Sequence, residues 1–134
     1  MARRCVDSAL ISQTKKHQEK TVNISHFKDT AGCVLGEATA VAVPLGEPVA
    51  ATRCSSEART DGVETGIWEC SPGRWRRQIV QQEFCHFISG HCTFTPDGGE
   101  PIEIRAGDAI LFPQGTTGVW DIHETVRKSF VLIG

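Results

Sequence analysis

The chain has no apolar run near the roughly 20 residues that a membrane helix requires, and no transmembrane segment is expected. Its opening residues, Met-Ala-Arg-Arg-Cys-Val-Asp-Ser, lack the apolar stretch of a secretory signal, so a cytoplasmic location is the expectation. Charge of either sign is not in excess: 14 Lys and Arg against 16 Asp and Glu leave a formal net charge of −2. That balance supplies no field to hold nucleic acid or an anionic membrane, and neither is an expected partner. The six cysteines, at 5, 33, 54, 70, 85 and 92, include no CxxC pair. Without that spacing or a signal sequence, reduced thiols are the expectation. There is a single methionine, and there is no internal repeat or low-complexity tract.

What the chain does have is glycine and proline, 13 and 6 in 134 residues, a composition of short strands and turns rather than helices. A chain of this length buries roughly two-thirds of its unfolded surface, enough for one core. Residues 1–20 are polar and read as a flexible N-terminal arm, and residues 21–134 as one β-barrel domain. Thr21 to Ser25 alternates like a half-buried strand, and Ala38 to Val43 and Val49 to Arg53 read as weaker strands around a Pro44–Pro48 turn. Ser55 to Gly62 is polar and reads as a loop. From Gly66 onward the pattern is plainer. Strands are expected at 66–70, 74–80, 83–89, 91–95, 101–105, 108–112, 118–122 and 127–133, divided by Ser71-Pro72-Gly73, Gly90, Pro96-Asp97-Gly98-Gly99, Ala106-Gly107 and His123-Glu124-Thr125. Such spacing describes an all-β sandwich or barrel.

Two stretches carry more than fold class. Gly107-Asp108-Ala109-Ile110-Leu111-Phe112-Pro113-Gln114-Gly115 follows an upstream Glu83-Phe84-Cys85-His86-Phe87-Ile88-Ser89-Gly90. Five residues separate Gly107 from Pro113, and six separate Glu83 from Gly90. With Gly66-Ile67-Trp68-Glu69-Cys70-Ser71-Pro72-Gly73, Gly118-Val119-Trp120 and Val126-Arg127-Lys128, these blocks make residues 66–133 resemble a small single-domain cupin, of the kind related to ureidoglycine aminohydrolase. The resemblance implies a cupin-type double-stranded β-helix, a jelly-roll barrel with a pocket in its mouth, and a homodimer.

It also implies a metal site, built in cupins from two histidines one residue apart, a carboxylate five residues later, and a third histidine after the second motif. Imidazole and carboxylate suit divalent transition metals and leave positions open for substrate. Counted onto this chain, the histidine positions hold Arg76, Gln78 and Gly118, and only Glu83 remains as a credible ligand. No bound metal is therefore expected. If Glu83 points inward, alternation turns Cys85 and Phe87 inward and His86 outward.

The resulting pocket candidates are Arg76, Gln78, Glu83, Cys85, Trp75, Phe112 and Trp120. Arg76 and Glu83 form an internal ion pair on one reading; on another, Arg76 offers its fork to a ligand carboxylate or ureido group and Glu83 accepts from ligand N–H groups. Trp75 and Trp120 line the rim or fill the core. Cys85 is a small buried hydrophobe unless a base lowers its pKa. Arg74, Arg76 and Arg77 read as a charged strand edge, and Arg127-Lys128 as facing solvent or a partner subunit. Three functions follow: a metal-free binder of a small anionic, ureido or amino metabolite; a metal-dependent hydrolase of small C–N compounds, with Glu83 as ligand or general base; and a non-catalytic structural protein.

Overall fold

The computed structural model describes residues 22–134; the arm expected over residues 1–20 lies outside them. Among the described residues every regular element is a strand: β1 (Thr39–Ala40), β2 (Ala51–Ala58), β3 (Glu64–Cys70), β4 (Gly73–Ile79), β5 (Gln82–Pro96), β6 (Ile102–Arg105), β7 (Ala109–Phe112) and β8 (Thr116–Ile133). All pairings are antiparallel. No helix among the described residues is long and apolar enough to cross a membrane.

β5 and β8 organise the barrel. They pair along their whole length, from Gln82–Ile133 to Pro96–Gly118. On the far side of β5 lie β7, against residues 83–86, and β6, against residues 91–94. Beyond β8 lie β3, against 126–132, and β4, against 116–122. Each long strand thus belongs to both faces of the jelly roll expected from the sequence, and β2 and β1 extend one face beyond β3.

The sequence divides each of these strands in two, and the structure does not. At Gly90 the ladder shifts register between Phe87 and Cys92 instead of ending. Gly90 has φ 94°, and a Cβ there would lie 2.2 Å from the Thr125 carbonyl oxygen, so this glycine marks a bulged bend where β5 passes close to β8. The other boundaries that differ are in the first half. Ser55 to Ala58 completes β2, because its polar side chains stand on a ladder with β3. Residues 22–25 form no strand. The Arg59 NH1 group donates to the Asn23 carbonyl at 2.8 Å and to Ser25 Oγ at 2.9 Å, giving this stretch side-chain partners where a ladder would have used backbone.

The core is an aromatic cluster placed by period-two alternation. Trp120 on β8 has its ring centroid 4.8 Å from Phe94, 5.9 Å from Phe112 and 6.2 Å from both Phe87 and Trp68. Burying such a ring removes roughly 150–250 Å² from water, worth about 4–6 kcal/mol as an upper bound. Cys33, Cys70, Cys85 and Cys92 are free thiols. Cys54 is disulfide-bonded, so the expectation of reduced thiols fails at that residue. Sequence spacing excludes a local CxxC pair and leaves cross-links between distant residues open.

Candidate functional site

β4 decides which charges enter the barrel. Along Gly73–Ile79, Gly73, Trp75 and Ile79 are buried and Arg74, Arg76 and Gln78 are exposed. The two positions counted back from Glu83 therefore face out. Arg76 NH1 and NH2 donate to Asp97 Oδ1 and Oδ2 at 3.0 and 2.7 Å, and Thr117 Oγ1 donates to Asp97 Oδ2 at 2.7 Å. The Arg76 hydrogen bonds are the main reason that the Asp97 pKa falls to about 2, and Asp97 raises that of Arg76 in return. The expected Arg76–Glu83 pair is not formed. The count from Glu83 back into β4 crosses the connection at Val80 and Gln81, and an offset of one residue there reverses every side chain. Arg77, in phase with Trp75, takes the inward place.

The partner of Glu83 comes from the last strand. Lys128 Nζ lies 2.7 Å from Glu83 Oε2, with Lys128 and Glu83 only 4% and 3% exposed. Lys128 shares its phase on β8 with Val126 and Phe130, both core residues. Its ammonium stands 4.5 Å from the Trp68 ring centroid, 5.5 Å from that of Trp120 and 5.8 Å from that of Phe87. Burial opposes this charge, but the Glu83 carboxylate outweighs it and holds the Lys128 pKa above its usual value. The expectation that Arg127 and Lys128 face solvent or a partner is corrected for both. Arg127, on the opposite face, donates to Glu69 Oε1 at 2.9 Å and to the carbonyls of Thr30 and Cys33 at 3.0 Å each. It is covered by the segment that it ties down.

A pocket of about 230 Å³ opens beside this interior, lined by residues 40–42, Thr52, Trp68, Trp75 and Arg77. Arg77 is its one charged residue. Directly opposite Arg77 on β8 is Gly118, which offers no side chain to compete for that space. Burial pushes the Arg77 pKa down, while Glu83 and then Cys70 pull it up. Arg77, Lys128 and Glu83 thus act on one another as two cations and one anion. The remaining buried carboxylate among the described residues, Glu64, accepts from Ser56 Oγ at 3.5 Å.

Of the other expected site residues, one lies on the wall of this pocket. Trp75 lines it, with its indole 6.4 Å from that of Trp68. The Trp75 Nε1–H is buried without a hydrogen-bond partner. It sits near enough to the Cys70 thiol to oppose the burial that drives that thiol to about 12, without the geometry of a hydrogen bond. Glu83, Cys85, Phe112 and Trp120 are all interior. Burial raises Cys85 to about 11, and its Sγ reaches only the Ile110 carbonyl, at 3.8 Å. It packs within the aromatic core, and a thiol raised in this way is protonated at neutral pH.

The family profile described as EutQ-like cupin domain matches residues 57–130. The chain belongs to the EutQ-like cupins. Among solved structures, this cupin is similar to a protein of unknown function from Pseudomonas syringae, with TM-score 0.66 and 18% identity over 78% of the chain. It spans 46% of that protein's length. It is similar to the EutQ protein of Clostridium difficile, with TM-score 0.57 and 17% identity over 69% of this chain and 80% of that one. A protein from Thermotoga maritima is 25% identical over 60% of this cupin and 99% of its own chain, with TM-score 0.50. No curated protein sequence matches this cupin.

The residues of this cupin do not fit the divalent metal that the fold often carries. An ammonium already sits 2.7 Å from the only acid in place, Glu83. A Cβ at Gly118 would lie 2.4 Å from the Thr95 carbonyl and 2.7 Å from Phe94 Cζ, so no histidine fits there. His26 and His86 are exposed, and His91 and His123 stack with each other at 4.7 Å, where His91 Nε2 meets Glu103 Oε2 at 2.7 Å. Among the described residues no three His, Cys, Asp or Glu side chains gather as a metal site would need.

Sequence reasoning missed Lys128, Arg77 and Trp68 as site residues. The alternation Val126, Lys128, Phe130 was the available signal for Lys128: a lysine in phase with two apolar residues of a buried strand face.

Proposed function

We propose that this cupin binds a small organic anion in its barrel without a metal, with Arg77 as the anchor and Trp68 and Trp75 as walls. One observation carries the reading. Glu83 is neutralised by Lys128 at 2.7 Å, which leaves Arg77 as an unmatched cation on a pocket wall. A guanidinium in a partly desolvated site favours a carboxylate, which it takes in two parallel hydrogen bonds. The coupled set Arg77, Lys128 and Glu83 carries one positive charge in excess, and a monoanion balances it. The volume, about 230 Å³, lies below the roughly 300–1,000 Å³ of drug-sized sites and matches a small metabolite.

A metal-dependent C–N hydrolase resembling ureidoglycine aminohydrolase would need Glu83 free to ligate a metal or take a proton, and the Lys128 contact works against both. A structural protein with a self-filled pocket would show no response to any anion. Thermal-shift and calorimetric titrations with a panel of small carboxylates separate these readings. The expected result is a shift in the wild type that is kept in Arg76→Met and lost in Arg77→Met. Equal binding by Arg77→Met overturns the assignment.

A further inference from the structure

The surroundings of Arg77 narrow the ligand further. Trp68 and Trp75 present two indoles tilted by 36° with centroids 6.4 Å apart. The remaining lining is the small apolar stretch 40–42 and Thr52, whose hydroxyl is the one side-chain hydrogen-bond acceptor on the wall. No carboxylate side chain lines the pocket. Glu83 is not part of the lining, is 3% exposed and is taken by Lys128.

Part of the backbone around the pocket is already engaged. Thr52 pairs with Thr39 on one side and Cys70 on the other. The Val41 N–H donates to the Ala50 carbonyl at 3.0 Å, and the neighbouring Val43 carbonyl accepts from the Arg76 N–H at 3.0 Å. A ligand ammonium or ureido N–H would leave water and find a single side-chain acceptor, Thr52, while Arg77 on the wall would repel added positive charge.

Resting on the anion-binding reading above, we infer that the site selects monocarboxylates with an apolar body up to about the size of a single ring, and rejects amino acids and ureido acids. The carboxylate meets the Arg77 fork and the body lies against the two indoles. Flat apolar surface against tilted aromatic walls gives contact area with little ordering cost. A site poor in side-chain acceptors discriminates against extra N–H groups because most of them end up desolvated and unpaired.

Calorimetric titration of the full chain with matched probes tests this. Benzoate is compared with benzamide, which keeps the ring and loses the charge. Butanoate is compared with 4-aminobutanoate and with N-carbamoylglycine, which add an ammonium or a ureido group. Benzoate and butanoate are expected to bind and to perturb tryptophan fluorescence. Benzamide is expected to fail, and the zwitterion and the ureido acid to bind at least about tenfold more weakly. Arg77→Met should lose benzoate, and Arg77→Lys, which keeps charge without the fork, should weaken it about tenfold. Thr52→Asp, which places a carboxylate on the wall and retains Arg77, should weaken benzoate and narrow or reverse the preference against 4-aminobutanoate. If the zwitterion or the ureido acid binds as tightly as butanoate, the selectivity is wrong while the anion site stands. If no anion of either kind binds, or Arg77→Met binds benzoate like the wild type, the anion site itself is wrong.

Discussion

Lys128 Nζ and Glu83 Oε2 meet at 2.7 Å inside the barrel, on strands whose residues are 45 apart in sequence, with the Trp68 ring centroid 4.5 Å from the ammonium. Removing one partner strands a charge in a low-dielectric interior. Lys128→Met or Glu83→Gln is therefore expected to cost about 3–5 kcal/mol in urea unfolding. The double change Glu83→Leu with Lys128→Met removes both charges and should recover most of that loss. A double variant as unstable as the worse single one would show that the cost lies in packing rather than in the pair.

The same pair sets the alkaline limit. The folded Lys128 pKa stands above the ordinary 10.5, so its contribution is fully present below pH 10.5 and disappears as pH rises through the higher folded value. In Lys128→Met, unfolding free energy should vary less with pH above 10.5 than in the wild type. Unchanged dependence would mean that another group governs that limb.

Asp97 gives the opposite slope at the acid end. Its pKa is lowered from 3.8 to about 2, chiefly by Arg76, so its contribution is present above pH 3.8 and is lost as pH falls towards 2. Asp97→Asn should flatten thermal stability against pH across that window and leave anion binding at neutral pH unchanged, since the pair lies on the outer face. Altered binding would place Arg76 in the site after all.

Arg127 bridges Glu69 on β3 and the carbonyls of Thr30 and Cys33. Losing hydrogen bonds from a charged donor costs roughly 1–3 kcal/mol. Arg127→Met should thus speed amide exchange and proteolysis within residues 22–36 well before the barrel opens. Exchange unchanged in that segment would show that its apolar contacts hold it without Arg127.

Thiol labelling checks the interior. Burial raises Cys70 and Cys92 to about 12 and Cys85 to about 11, so in native protein iodoacetamide should reach half-buried Cys33 first and leave those three until unfolding. Early modification of Cys85 would contradict a closed core at that point.

Much of the architecture was readable along the chain because it rests on short-range rules. Gly107 and Gly115 stand at φ 98° and 82°, and the turn residues around them frame β7 as their spacing implies. Alternation also placed Glu83, Cys85 and Phe87 inward and His86 outward. Such features depend on a residue and its immediate neighbours, so the amino-acid sequence by itself determined the all-β jelly roll, its motif turns and the inward side of β5. Only the tertiary structure decided which charges meet. The phase of β4 depends on how residues 80–81 are used between two strands, and a single-residue offset exchanged Arg76 for Arg77. The partner of Glu83 depends on two distant strands lying side by side, with Lys128 brought over the Trp68 ring. Side-chain phase is local, but the pairing of charges across a barrel is set by closure of the whole sheet.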